Sequence, residues 1–201
     1  MPRLAGQIDV AKTEAILEAA SEVLAERGLS APIEEIARRA GVSKQTVYNH
    51  YGSKAELVRA LVARRVESIT APLRTPGAEE HPEEALAAYA RTLLRVVTAK
   101  TSNLMRVTIQ SAGEMPDLAQ AVFEAGPRHS RAQVAAFLEL ETRAGRMAVD
   151  DPLQAAEFFA GMVLGQQQTR ALLRIGEPLT EDEIDRTARA AAARFMRAYA
   201  P

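Results

Sequence analysis

From Glu34 to Lys54 the chain holds two short helical periods parted by a glycine, a pattern that fits a helix-turn-helix and little else. Ile36, Ala37 and Ala40 recur at three- to four-residue spacing, which gives the first helix one buried face. Gly41 ends that helix, having no Cβ to penalise a positive φ. Ser43 follows as an N-cap whose hydroxyl can accept from a backbone N–H two or three residues on. The second helix then places Lys44, Gln45, Tyr48 and Asn49 on one surface, because residues four apart share a face. Val47 and Tyr51 point roughly 90–130° away from that surface and anchor the helix to its neighbours.

The side chains on that surface suit a nucleic acid. Gln and Asn can read an adenine edge in the major groove, while Ser, Thr, Lys and Tyr can hold phosphates. From Ile36 to Ala55 there are four Lys or Arg residues and no Asp or Glu. The first 55 residues as a whole carry seven of each sign, and the chain has a net charge of −1. The positive charge is therefore local, and specific contacts must carry more of the binding than non-specific attraction.

The run Ala40-Gly41-Val42-Ser43-Lys44, Thr46-Val47-Tyr48, His50-Tyr51-Gly52-Ser53-Lys54 and Leu57 resembles the DNA-binding domain of TetR-family transcriptional regulators. The resemblance extends over residues 11 to 65 and takes in Ala19-Ala20 and Glu26-Arg27-Gly28. It implies DNA contacts from Ser43, Lys44, Gln45, Thr46, Tyr48, Asn49, His50 and Lys54. His50 either donates to phosphate or packs beside Val47, and Lys54 is either a phosphate ligand or a surface lysine. Tyr51 stands where the family usually has Phe. Ala31 and Pro32 stand where it usually has a phosphate-contacting Thr, so that contact is not implied here.

Ahead of the motif, Ile16, Ala19, Ala20, Val23 and Leu24 predict an amphipathic helix over 10–27, with residues 1–9 as a loose arm from which Arg3, like Lys12 beyond it, could approach DNA. After it, Ser53 caps a fourth helix reaching about Ile69. Pro72, Pro76-Gly77 and Pro82 then make the strongest break in the chain. Helical periods follow near 83–99, 103–112, 128–144, 152–174 and 181–199, and no alternation is long enough for a strand. The expected fold is all-α with about nine to ten helices. A three-helix DNA-binding domain occupies 1–55, a connecting helix and loop 56–82, and a helical ligand-binding and dimerisation bundle 83–201.

The later part is similar to the C-terminal domain of the AefR-like branch of the same family. The likeness rests on Leu104-Met105-Arg106-Val107, Met115-Pro116-Asp117-Leu118, Phe123-Glu124-Ala125-Gly126-Pro127, Gly145-Arg146-Met147 and Asp150-Asp151-Pro152-Leu153. Gln110 replaces a Glu often found in that branch. The resemblance implies an effector pocket, with Leu104, Met105, Thr108, Phe123, Phe137, Phe158, Met162 and Gln166 as candidate lining. It also implies a dimer made by the last two helices, through Gly161 and Gly165 and the stripe Ile184, Ala188, Ala191, Phe195 and Tyr199. The periodicity fits equally a stripe that closes an intramolecular bundle.

Other chemistry finds little support. The chain has no Cys, which excludes disulfides and thiolate metal sites. His50, His81 and His129 have no metal-ligand spacing. Asp150-Asp151 before Pro152 fits a helix cap better than a catalytic pair, and no catalytic signature appears, so an enzyme such as a helical lyase or hydrolase is not expected. No cofactor is expected either. No apolar run approaches a membrane span or a signal sequence, which makes the cytoplasm the expected compartment. The expected function is a ligand-responsive regulator, a repressor, that binds a palindromic double-stranded operator as a homodimer and is released by a small apolar effector. The alternative is a helical interaction or scaffold module without sequence-specific DNA binding.

Overall fold

The computed structural model describes residues 5–99 and 104–201, with side chains described from residue 10 onward; the suggested DNA contact of Arg3 lies outside them. Every regular element among the described residues is helical: α1 (Ala5–Arg27), α2 (Ile33–Arg39), α3 (Lys44–Tyr51), α4 (Lys54–Thr70), α5 (Pro82–Thr98), α6 (Leu104–Ser111), α7 (Pro116–Phe123), α8 (His129–Arg143), α9 (Pro152–Leu164), α10 (Gln167–Leu173) and α11 (Glu181–Ala198). A 3₁₀ turn, Ala71–Arg74, follows α4, and a π-helical turn, Glu124–Arg128, joins α7 to α8. Residues 5–9, expected as part of a loose arm, are helical and belong to α1.

The chain forms two compact units, Met1–Arg64 with Asn103–Ala125, and Arg65–Ser102 with Gly126–Pro201. In the first, Ile16, Ala20, Val23 and Leu24 of α1 meet Ile36, Val47, Leu57 and Val58 of the next three helices, all at most 1% exposed. Val107 of α6 and Leu118 of α7 pack against the same cluster, and Val122 is part of it. The break at 71–82 is present, yet α6 and α7 group with the N-terminal helices. They do so because their apolar faces complete that core.

In the second unit α5 lies along α11. Small buried residues on both, Ala87 and Ala90 on α5 and Ala188, Ala191 and Ala192 on α11, share one core and suit a close approach of the two helices. An aromatic file runs through the centre, with ring centroids 6.1 Å apart for Tyr89–Phe159, 4.9 Å for Phe159–Phe195 and 4.7 Å for Phe195–Tyr199. The buried Tyr89 hydroxyl hydrogen-bonds Ser130 Oγ at 3.0 Å, which satisfies a polar atom that burial would otherwise penalise. Glu141, 1% exposed, is held by the Arg146 guanidinium through two bonds of 2.6 and 3.0 Å. The helix expected over 152–174 is broken at Gly165, whose φ of 45° and ψ of −126° cannot continue it, and α10 starts two residues later.

Candidate DNA-recognition surface

The turn before α3 is built by local chemistry. Gly41 sits at φ 67°, its N–H donates to Arg38 O at 3.2 Å, and the N–H of Val42 donates to Ala37 O at 3.0 Å. These two bonds satisfy carbonyls that the end of α2 leaves open, in the Schellman pattern. Ser43 then caps α3, its Oγ accepting from the N–H of Thr46 at 3.0 Å and lying 2.9 Å from Thr46 Oγ1. One buried residue, Val47, fixes the rotation of α3, and that rotation leaves Lys44, Gln45, Tyr48 and Asn49 exposed side by side.

These exposed groups are already organised. Gln45 Nε2 donates to Asn49 Oδ1 at 2.8 Å. Lys44 lies over the Tyr48 ring at 5.7 Å, and its ammonium meets a Glu34 carboxylate oxygen at 2.5 Å. The Glu34 hydrogen bond raises the lysine pKa, and the same bond holds the Glu34 carboxyl below its usual range. Ser43 is exposed, and Thr46 is half-buried beside it.

His50 and Lys54 stand apart from that face. The half-buried His50 ring lies 6.1 Å from the ring of Tyr51, tilted by 37°. Lys54 turns inward: its ammonium donates to the backbone carbonyls of Leu29 and, at 2.6 Å, of Ala31. Burial pushes its pKa down. The Tyr51 hydroxyl is buried without a hydrogen-bond partner, and burial pushes its pKa up.

Other basic residues of this unit are also paired. Arg39 makes a two-pronged contact with Glu26 at 2.7 and 2.9 Å, and Arg27 meets Glu35 at 2.9 Å. Sequence reasoning identified the α3 face but not Glu34 as a partner of Lys44. The two lie ten positions apart with the turn between them, and no periodicity connects them.

The eight residues suggested for an effector pocket are not brought together within either unit. Leu104 and Met105 pack on the first unit's core, Thr108 is buried with its hydroxyl donating to Leu104 O at 2.7 Å, and Phe123 is exposed. In the second unit Phe137 belongs to the core, whereas Phe158, Met162 and Gln166 are exposed. Of the suggested dimer residues, Ile184, Ala188, Ala191 and Phe195 are buried in the second unit's own core, and Tyr199 packs against it. That stripe closes an intramolecular bundle against α5. Gly161 and Gly165 are exposed, Gly161 on the α9 face that carries Phe158 and Met162, and Gly165 just past the end of that helix. Among the described residues no group of three or more His, Cys, Asp or Glu could hold a metal, and no helix is long and apolar enough to cross a membrane.

An exposed, capped second helix on a compact helical unit defines the class of helix-turn-helix DNA-binding regulators. Residues 16–61 match the model for bacterial regulatory proteins of the tetR family, and residues 84–201 match that for the AefR-like transcriptional repressor C-terminal domain. The chain belongs to the TetR family, a family of DNA-binding transcriptional regulators and not of enzymes.

Its relatives agree. It is similar to the transcriptional activator FasR of Mycolicibacterium smegmatis, 47% identical over 60 residues, which are 29% of this chain and 27% of that one. The match thus spans about a quarter of that regulator's length. It is also similar to the solved structure of a TetR-family regulator from Mesorhizobium loti, with TM-score 0.75, 29% identity, and coverage of 94% of this chain and 97% of that one. A third similar protein, the flavonoid-responsive regulator FrrA, gives TM-score 0.71 and 31% identity over the same shares.

Proposed function

We propose that this protein is a ligand-responsive transcriptional repressor acting in the cytoplasm. The observation that carries the reading is the exposed face of α3, where Gln45 and Asn49 form one hydrogen-bonded pair beside Lys44 and Tyr48. Such a face fits a major groove, with amide groups toward base edges and Ser43, Lys44, Thr46 and Tyr48 toward phosphates. His50 flanks it. Lys54 contributes by holding the turn between α1 and α2 and not as a free phosphate ligand.

Two copies bind a palindromic operator, one half-site each in successive major grooves. The surface that supports a dimer is the exposed face of α9, where Phe158, Gly161 and Met162 lie together, with the exposed Gly165 just past the helix end. Small residues there let a symmetry mate approach, and the large apolar ones are otherwise left in water. The effector is a small apolar molecule. FrrA is flavonoid-responsive and matches this chain along 94% of its length, so flavonoids are the first class to try. Release requires only that the effector bind better to a dimer whose α3 helices no longer fit both grooves.

The test is selection from a random duplex library with the purified protein, followed by sequencing. Recovery of an inverted repeat whose binding is lost in Gln45→Ala and Tyr48→Ala supports the reading. No enrichment of any sequence, with or without a flavonoid panel, would return the chain to an interaction module.

A further inference from the structure

We infer that Glu34 is an internal competitor for the lysine of the recognition helix, setting how tightly and how salt-dependently this protein holds DNA; the inference rests on the DNA-binding reading above. Lys44 is the one Lys or Arg on α3. Its ammonium is engaged by Glu34 at 2.5 Å, across the turn, from the first turn of α2. Both side chains are about half exposed, at 52% and 57%, so the pair lies where a phosphate would approach.

The carboxylate is well kept in place. It sits near the amino end of α2, where the helix dipole favours negative charge. Two neighbouring cations are engaged elsewhere, Arg39 by Glu26 and Glu22 and Arg27 by Glu35, while Arg38 is exposed and lies 4.0 Å from Glu35. A DNA phosphate therefore obtains Lys44 in one of two ways. It displaces Glu34 and leaves an unpaired carboxylate beside the backbone, or it shares the lysine with Glu34. In either case the lysine neutralises less phosphate charge than a free one would, and fewer counterions leave the DNA.

The consequence is measurable in the slope of log K against log salt. Each fully neutralised phosphate contributes about 0.9 to that slope. Glu34→Gln should steepen it by up to about 0.9 for each recognition helix bound. At low salt it should also tighten binding about two- to five-fold, the range an exposed ion pair spans, with the gain vanishing at high salt.

The experiment measures binding of wild type, Glu34→Gln, Lys44→Gln and the double variant to a mixed-sequence duplex and to a duplex carrying the selected repeat, across a salt series. Competition predicts that Glu34→Gln steepens the slope in the wild-type background and leaves it unchanged in the Lys44→Gln background. An equal effect in both backgrounds would mean general charge repulsion and would overturn the proposal. So would an unchanged slope accompanied only by a lower melting temperature, the mark of an acid that merely supports α2. Failure of wild-type protein to bind either duplex would instead overturn the DNA-binding reading itself.

Discussion

Val107 of α6 fills the space that a side chain on Gly28 would need: a Cβ built on Gly28 would lie 2.9 Å from Val107 Cγ1. Gly28 ends α1 at φ 79°, so it answers two demands at once, a left-handed backbone and a close approach by α6. Gly41 answers one, since it lies at φ 67° with nothing within 4 Å of its would-be Cβ. Gly41→Ala should cost about 1–2 kcal/mol for the left-handed backbone alone. Gly28→Ala should cost more, because overpacking adds about 1–3 kcal/mol and a valine has few rotamers with which to yield. Urea midpoints of the two variants test the order. In a Val107→Ala background the extra cost of Gly28→Ala should disappear, leaving a cost like that of Gly41→Ala.

Lys54 offers a direct contrast between strut and ligand. Its ammonium donates to the carbonyls of Leu29 and Ala31, which would be left without it in Lys54→Met. Hydrogen bonds to charged groups contribute about 1.5–3 kcal/mol, and the loss should fall within that range. A phosphate ligand would also change the salt slope of DNA binding by about 0.9. The expectation is a lower urea midpoint with an unchanged slope, and a slope reduced by nearly one would show that Lys54 swings out onto the DNA.

The helix-turn-helix was legible because its signals are local. Gly41 and Ser43 act within five residues of themselves, and the bonds they make are the ones their positions imply. Longer reach was not legible. The α11 stripe states that Ala188 and Phe195 are covered, but period alone cannot say whether α5 or a second copy covers them. Phe158 and Phe159 are adjacent and chemically identical, yet one is 55% exposed and the other fully buried. Only the rotation of α9, set by its packing partners, separates them. The helical period likewise runs on past Gly165, and the break there depends on a backbone conformation that composition does not reveal.

Tyr51→Phe should leave the fold as stable or make it more so. The hydroxyl is buried with no partner, and an unsatisfied buried polar group costs about 1–3 kcal/mol. The ring, which packs on the first unit's core, is retained. Thermal melts of the two proteins decide it, and a clear fall in melting temperature would mean that a bound water satisfies the hydroxyl.

Acid should weaken the protein through its surface carboxylates. Arg95 holds Glu181 below the ordinary value of 4.5, Arg39 does the same for Glu26, and hydrogen bonds from Thr180 do so for Glu183. Because the folded-state values are lower than the unfolded ones, the stability these groups supply is complete above 4.5 and is lost as pH falls through the folded values. Glu181→Gln should therefore lower the melting temperature at neutral pH and make no difference well below pH 4.5. High salt should shrink the neutral-pH difference, since these groups are exposed and screened. A difference that grew toward acid pH would contradict the assignment.

The Gln45–Asn49 pair carries a prediction about how bases are read. With Gln45 Nε2 donating to Asn49 Oδ1 at 2.8 Å, that bond leaves Asn49 Nδ2 as a donor and Gln45 Oε1 as an acceptor on an exposed face. Adenine presents the complement in the major groove, an N7 acceptor beside an N6 donor. Either Gln45→Ala or Asn49→Ala should then cost about 1–3 kcal/mol at one A·T position, and the loss should vanish on operators already altered there. Each residue orients the other, so removing one disorders both. The double variant should lose much less than the two single losses added together. Fluorescence anisotropy on a set of single-base operator variants measures all of these terms. Additive losses at two separate positions would mean that the two amides act independently, and that the bond between them breaks when DNA arrives.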